Sequence, residues 1–134
     1  MIVGLGTDIV EIVRIADMID RHGESFLNRV FTPDEIRHCR KRRYCNEAFA
    51  GRWAAKEAVM KVLGTGFVPG IHWRDIEVLA RTSGQPYINI QGGAGDHARR
   101  LGIDEILITI SHCRAYATAT AIGSRQNGNE KMPR

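Results

Sequence analysis

Cysteine is scarce. The 134 residues hold three, Cys39, Cys45 and Cys113, an odd number with no CxxC spacing. A disulfide framework or a cysteine-based zinc site is therefore not the organising chemistry, and a reducing compartment fits. Long apolar runs are missing as well. None approaches the ~20 residues of a membrane span, and the first residues have neither the charged start nor the apolar core of a secretory signal. A cytoplasmic protein with no membrane span is the expectation. There is also no internal repeat, no Pro/Ser-rich linker, and no RRM, KH or zinc signature of a nucleic-acid module. Gly64-Thr65-Gly66 lacks the Lys-Ser/Thr ending of a P-loop.

What is present is an ordinary globular composition, 43% hydrophobic and 25% charged, in a chain long enough for one domain with its own core. The charge excess is small, 19 basic against 15 acidic residues. Its placement says more: Arg37, Arg40, Lys41, Arg42 and Arg43 form a dense cluster, preceded by Arg14, Arg21 and Arg29. Such a surface attracts nucleic acid, anionic lipid or an acidic protein, and the competing reading is a solvated helix face.

Met1 to Val10 reads as an Ile/Val-rich strand interrupted by Gly4 and Gly6, and glycines inside a strand mark close approach of backbone or ligand. Ile12, Ile15, Ala16 and Ile19 recur at helical spacing, predicting a helix to Arg21 that Gly23 ends. Thr32-Pro33-Asp34-Glu35 is a capping box with proline at the first helical position, opening a helix through the basic cluster. Asn46 is the predicted cap of the longest helix, which runs to Leu63 and stops at Gly64. A glycine-rich loop to Gly70 follows. Ile76–Arg81 and Pro86–Gln91 predict a hairpin, Asp96–Leu101 a short helix, and Glu105–His112 with Ala115–Ile122 a second hairpin. Residues 1–123 are read as one domain and 124–134 as a polar, frayed tail. The fold class is α+β, helices packed on antiparallel strands.

The long helix carries a conflict. From Phe49 to Leu63 it is apolar on nearly every side, as a buried helix is. Yet Glu57 and Lys61 share one flank and Arg52 and Lys56 another, and burying charge is costly unless it is paired, metal-bound or facing a ligand. Such conflicts mark functional sites. Strand alternation sets Asp8 on the side of Gly4 and Gly6. Were that strand to pack beside the long helix, Asp8 and Glu57 would converge. Two carboxylates with a lysine one turn on suit a magnesium ion that shares its oxygens with a phosphate. The competing reading is a surface Glu57–Lys61 pair worth only ~0.2–0.5 kcal/mol. His112 and Cys113 are neighbours in a strand and point to opposite faces, so they form no catalytic dyad.

Gly6-Thr7-Asp8-Ile9-Val10-Glu11 with Arg14 resembles the opening motif of the holo-acyl-carrier-protein synthases, the short branch of the 4′-phosphopantetheinyl transferases. Phe49-Ala50-Gly51-Arg52-Trp53-Ala54-Ala55-Lys56-Glu57-Ala58, with Lys61 and Gly64-Thr65-Gly66, is similar to their second motif. Ile76-Glu77-Val78, Gly84-Gln85-Pro86, Ser111-His112 and Tyr116-Ala117 match later landmarks. Both main motifs lie in register, and the resemblance runs from Met1 to Ile122. Trp53 stands where phenylalanine is common, and Cys113 has no counterpart role.

The resemblance implies transfer of 4′-phosphopantetheine from coenzyme A to a serine of apo acyl carrier protein, in fatty acid biosynthesis. Asp8 and Glu57 would bind magnesium. Glu57 would accept the serine proton, directly or through water, and Lys61 would stabilise the leaving phosphate. Arg52, Lys61, Gly64 and His112 would contact coenzyme A. Arg14, Met18 and Arg21, one helical stripe of two arginines around an apolar contact, would receive the acidic carrier. The short branch is trimeric with its site between subunits, so a homotrimer is implied. No nucleic acid enters this reading. The rival reading is a non-catalytic basic module that binds an acidic protein or RNA; such a module has no use for Asp8 and Glu57.

Overall fold

The β-rich start of the chain forms a strand, β1 (Ile2–Glu11), and the helical spacing behind it forms α1 (Ile12–His22), ended by Gly23. Gly23 is followed at once by a helix the sequence reading lacks, α2 (Glu24–Val30), which buries Phe26, Leu27 and Val30. Two apolar turns are too short for periodicity to separate them from a loop. The Thr32 capping box is present with both reciprocal hydrogen bonds and opens α3 (Pro33–Arg40). That helix stops at Arg40 instead of running through the basic cluster, so residues 41–44 make a turn. The longest helix, α4 (Cys45–Leu63), starts one residue before the predicted Asn46 cap, and Tyr44 precedes it without a side-chain cap bond. Gly64 ends it in the left-handed conformation at φ 75°.

A single 3₁₀ turn (Trp73–Asp75) leads into β2 (Ile76–Ala80) and β3 (Pro86–Ile90), which pair as an antiparallel hairpin. The next helix, α5 (Gly92–Arg100), begins four residues earlier than predicted. Asp75 explains the difference: its carboxylate accepts from the Ala94 N–H, giving the Gly-rich start an acceptor from outside the helix. β4 (Glu105–His112) and β5 (Tyr116–Ser124) form the second hairpin, and β5 is the central strand of an antiparallel sheet in the order β1-β5-β4.

The computed structural model describes residues 1–66 and 68–126. Of the predicted tail, Ser124 closes β5, the Arg125 N–H donates to Met1 O, and the Gln126 N–H donates to the Asp104 carboxylate. The rest of that stretch lies outside the described residues.

α4 lies across one face of the sheet, and its apolar girth is explained by neighbours on every side: the sheet, α1, α3 and β2. Along β1, Gly6 and Val10 are buried towards α4, while Leu5 and Ile9 on the other face are 66% and 65% exposed. Gly4 and Gly6 set the spacing between strand and helix. A Cβ on Gly4 would lie 2.7 Å from Val62 O, and one on Gly6 only 2.0 Å from Ala58 O. The strand glycines thus mark the approach of a backbone, and they bring β1 onto the turn of α4 that carries Glu57 and Lys61.

Candidate active site

Two residues beyond Gly6, Asp8 faces α4. The Lys61 ammonium donates to the Thr7 carbonyl oxygen at 2.7 Å and lies 3.5 Å from Asp8 Oδ1, so Lys61 pairs across to β1 and not back along its own helix to Glu57. Thr118 Oγ donates to the Asp8 carbonyl at 2.8 Å, tying this part of β1 to β5. Burial raises the Asp8 carboxyl above its ordinary value, with Lys61 and, further off, Arg14 working against the rise. Burial also raises Glu57, and the Asp8 charge raises it further while Lys61 opposes. Like charges held together in partial burial favour either a proton or a cation between them. The Asp8 side chain is 18% exposed and that of Lys61 54%, so the group opens to solvent.

Two carboxylates are hard oxygen donors of the kind magnesium takes. Among the described residues no cluster of three or more His, Cys, Asp or Glu could hold a metal. An ion on Asp8 and Glu57 would therefore draw its remaining oxygens from water and substrate, the usual habit of magnesium.

The remaining predicted coenzyme A contacts divide. Gly64 caps the C-terminus of α4, three residues beyond Lys61. Arg52 and His112 line a different cavity of about 340 Å³, between the α3–α4 turn, the β2–β3 hairpin and β4. Arg52 and Glu57 are five residues apart on α4, about 140° around its axis, and so occupy opposite flanks. His112 Nδ1 sits 3.2 Å from Glu47 Oε1 in the first turn of α4. The Arg52 Nε atom is buried and has no hydrogen-bond partner among the described residues. Arg42 and Arg43 line the same cavity; the cluster is solvated, all five of its cations being exposed, but Lys41, Arg42 and Arg43 lie in the turn after α3 and not on its face. Burial, then the charges of Arg52, Arg42 and Lys41, hold the nearby His38 imidazole below its ordinary value.

Arg14, Met18 and Arg21 line up on the outer face of α1, both arginines exposed and Met18 half-buried. Arg21 pairs with Asp17 at 3.2 Å. The Arg14 charge works weakly against the rise at Asp8.

A further network was not legible in the sequence. Lys56, next to Glu57, is fully buried; its ammonium bonds Glu35 Oε1 at 2.9 Å and the carbonyls of Trp73 and Ile76. Glu35 also accepts from the N–H groups of Thr32 and Val78, and Thr32 Oγ donates to Glu77 at 2.6 Å. Trp53 stacks on Trp73 with ring centroids 4.3 Å apart. Together these contacts bind α3, α4 and β2 into one body and fix the turn of α4 from which Glu57 projects. The capping box signalled Glu35, but nothing local signalled that Lys56 is its partner.

A strand held against a helix by two glycines, with carboxylates and a lysine gathered at the seam, defines a class. Residues 4–121 match the model of the 4′-phosphopantetheinyl transferase superfamily, and the chain belongs to it. Within that superfamily the chain is similar to the holo-[acyl-carrier-protein] synthases. The protein of that name from Halothermothrix orenii is 48% identical over 123 residues, 92% of this chain and 98% of the relative. The crystal structure of the Neisseria meningitidis synthase superposes with a TM-score of 0.85 at 28% identity, covering 93% of this chain and 100% of that one. The Helicobacter pylori synthase, solved in complex with coenzyme A, superposes with a TM-score of 0.80 at 29% identity, covering 90% of this chain and 99% of that one.

Proposed function

We propose that this chain transfers the 4′-phosphopantetheine group from coenzyme A to a serine of apo acyl carrier protein, releasing adenosine 3′,5′-bisphosphate. The observation that carries the reading is the meeting of Asp8, Glu57 and Lys61, brought from two motifs to one solvent-open seam between β1 and α4.

The chemistry asked of the residues is positioning and charge stabilisation, as in other phosphoryl transfers. The serine oxygen bonds to the phosphorus that bears pantetheine, and the bond from that phosphorus to the bridging oxygen of the pyrophosphate breaks. Glu57, its proton affinity raised by burial and by Asp8, takes the serine proton, directly or through water. Lys61 presents its ammonium to the phosphate that departs with adenosine. Asp8 holds Lys61 in place and offers its carboxylate beside Glu57. Magnesium bound by Asp8 and Glu57 would polarise the pyrophosphate and neutralise charge on it.

Arg52, Gly64 and His112 would bind coenzyme A, and Arg14, Met18 and Arg21 would dock the acidic carrier. We place the reaction in the cytoplasm, in fatty acid biosynthesis. The three free cysteines suit a reducing compartment, and no helix among the described residues is long and apolar enough to cross a membrane.

A homotrimer with its site between copies accounts for two features together. Arg52 and Glu57 lie on opposite flanks of α4, so one chain presents two half-sites. The sheet face turned away from α4 exposes Leu5, Ile9 and Leu107, an apolar surface that a neighbouring copy would cover. The non-catalytic binding module is disfavoured, because it leaves Asp8 and Glu57 burdened by mutual repulsion without use. The direct test is release of adenosine 3′,5′-bisphosphate from coenzyme A in the presence of an apo carrier and magnesium. Release that Glu57→Gln abolishes supports the reading; no release with several apo carriers sinks it.

A further inference from the structure

No residue of α5 enters the reaction, yet one face of that helix holds the end of α4 that carries Lys61. Gly93 and His97 are four residues apart and so share a face. A Cβ on Gly93 would lie 1.7 Å from Gly70 O, so the first turn of α5 presses on the far end of the connection that leaves α4. One turn on, His97 Nε2 donates to the carbonyl oxygen of Leu63, the last residue of α4, at 3.2 Å. The final four carbonyls of a helix have no intrahelical partner, and a helix end without other donors frays. The bond needs the tautomer with its proton on Nε2, and Arg100 Nη2 donates to the other ring nitrogen, Nδ1, at 3.4 Å. The seat of α5 does not depend on His97: the Ala94 N–H donates to the Asp75 carboxylate, and Ala94 and Ala98 are buried. The same turn of α4 meets β1, where Gly4 and Gly6 leave room for Val62 O, Ala58 O and Lys61 Cβ, and where the Lys61 ammonium crosses to Thr7 O. The last turn of α4 is therefore held by β1 and by α5 together.

We infer that His97 is a positioning residue for the transfer: by holding the Leu63 carbonyl it keeps the last turn of α4 from fraying, and with it the Lys61 ammonium against Asp8 and the departing phosphate. The part of the inference that concerns the phosphate rests on the transferase reading above; the hold on α4 does not. Lys61 lies two residues before Leu63, and an ammonium carried on a fraying turn loses the fixed placement on which charge stabilisation in the transition state depends.

The test joins steady-state kinetics with amide hydrogen exchange on wild type, His97→Ala and His97→Gln, the last of which keeps a side-chain N–H of similar reach. His97→Ala should lower kcat by roughly tenfold and leave KM for the carrier unchanged. The Gly64 N–H, which closes the last turn onto Met60 O at 3.0 Å, should exchange roughly fivefold faster. The Ala94 N–H, bonded to Asp75, should exchange as in wild type, because α5 stays seated. His97→Gln should recover most of both losses. Arg99→Ala, an exposed change on α5, should keep wild-type kcat and exchange. Wild-type kcat in His97→Ala, a lowered kcat with Gly64 exchange unchanged, no recovery in His97→Gln, or faster exchange at Ala94 as well would overturn the inference. Absence of transfer by wild type sinks the transferase reading, whereas the exchange at Gly64 and Ala94 tests the hold on α4 without any turnover.

Discussion

Adding one methyl group at Gly6 should separate the catalytic groups without touching any of them. In Gly6→Ala the new Cβ would stand 2.0 Å from Ala58 O and 2.9 Å from Lys61 Cβ, whereas ordinary contacts begin at 3.4 Å. The obstructing atom is backbone inside a helix, so no rotamer change relieves it. Strand and helix must part by roughly 1 Å at the seam where Asp8 meets Lys61 and Glu57. Overpacking of this kind costs about 1–3 kcal/mol, and misplacement by 1 Å can cost about 10²-fold in rate. For a domain of this length the melting midpoint should fall by ~3–12 °C. Gly95→Ala is the control: its Cβ would meet Ile90 at an ordinary 3.6 Å, and a helical glycine replaced by alanine gains up to ~1 kcal/mol. Differential scanning calorimetry and steady-state kinetics on both variants decide the matter. Wild-type midpoint and kcat/KM in Gly6→Ala would refute the claim that the glycine sets the site.

The raised carboxyls make a signed prediction. Asp8 and Glu57 bind protons more tightly folded than unfolded, so stability falls as pH rises from their ordinary values of 3.8 and 4.5 through the raised ones. At pH 7 in EDTA, Asp8→Asn and Glu57→Gln should therefore melt no lower than wild type while losing nearly all activity, and magnesium should raise the midpoint of wild type alone; lower midpoints for both in EDTA would count against the reading. Lys56→Met strands the buried Glu35 carboxylate and should cost about 3–5 kcal/mol in urea unfolding, against at most ~1 kcal/mol for the exposed Arg21→Ala. Mixing Glu57→Ala and Arg52→Ala chains tests the shared site. In randomly assembled rings about a quarter of interfaces combine the two intact half-sites, so activity should recover to that level, and no recovery would place both halves in one chain.

The sequence was informative where a residue's role depends on near neighbours. The Thr32 box, the Gly23 and Gly64 helix ends and both hairpins follow from local chemistry, and each stands in the structure. The convergence of Asp8 on the Glu57 flank was legible for a similar reason, because period-two alternation and the strand glycines fix which side of β1 faces a neighbour. Roles decided by distant partners were not legible. Lys56 looks like one more charge on a helix until Glu35, brought in by α3, buries it. Arg42 and Arg43 look like a continuing helix face, because nothing local shows α3 ending at Arg40 and the turn folding over Arg52. The division of the predicted coenzyme A residues between two flanks of α4 has the same origin: the spacing was visible, but the direction from which β1 and β4 approach the helix was not.

In the proposed reaction this chain moves phosphopantetheine onto a carrier serine through Asp8, Glu57 and Lys61. Intact-mass spectrometry of an apo acyl carrier protein incubated with the chain, coenzyme A and magnesium tests it most directly. The expected result is a gain equal to one phosphopantetheine group, localised to a serine and abolished by EDTA and by Glu57→Ala. An unmodified carrier, or a gain that persists in Glu57→Ala, would contradict it.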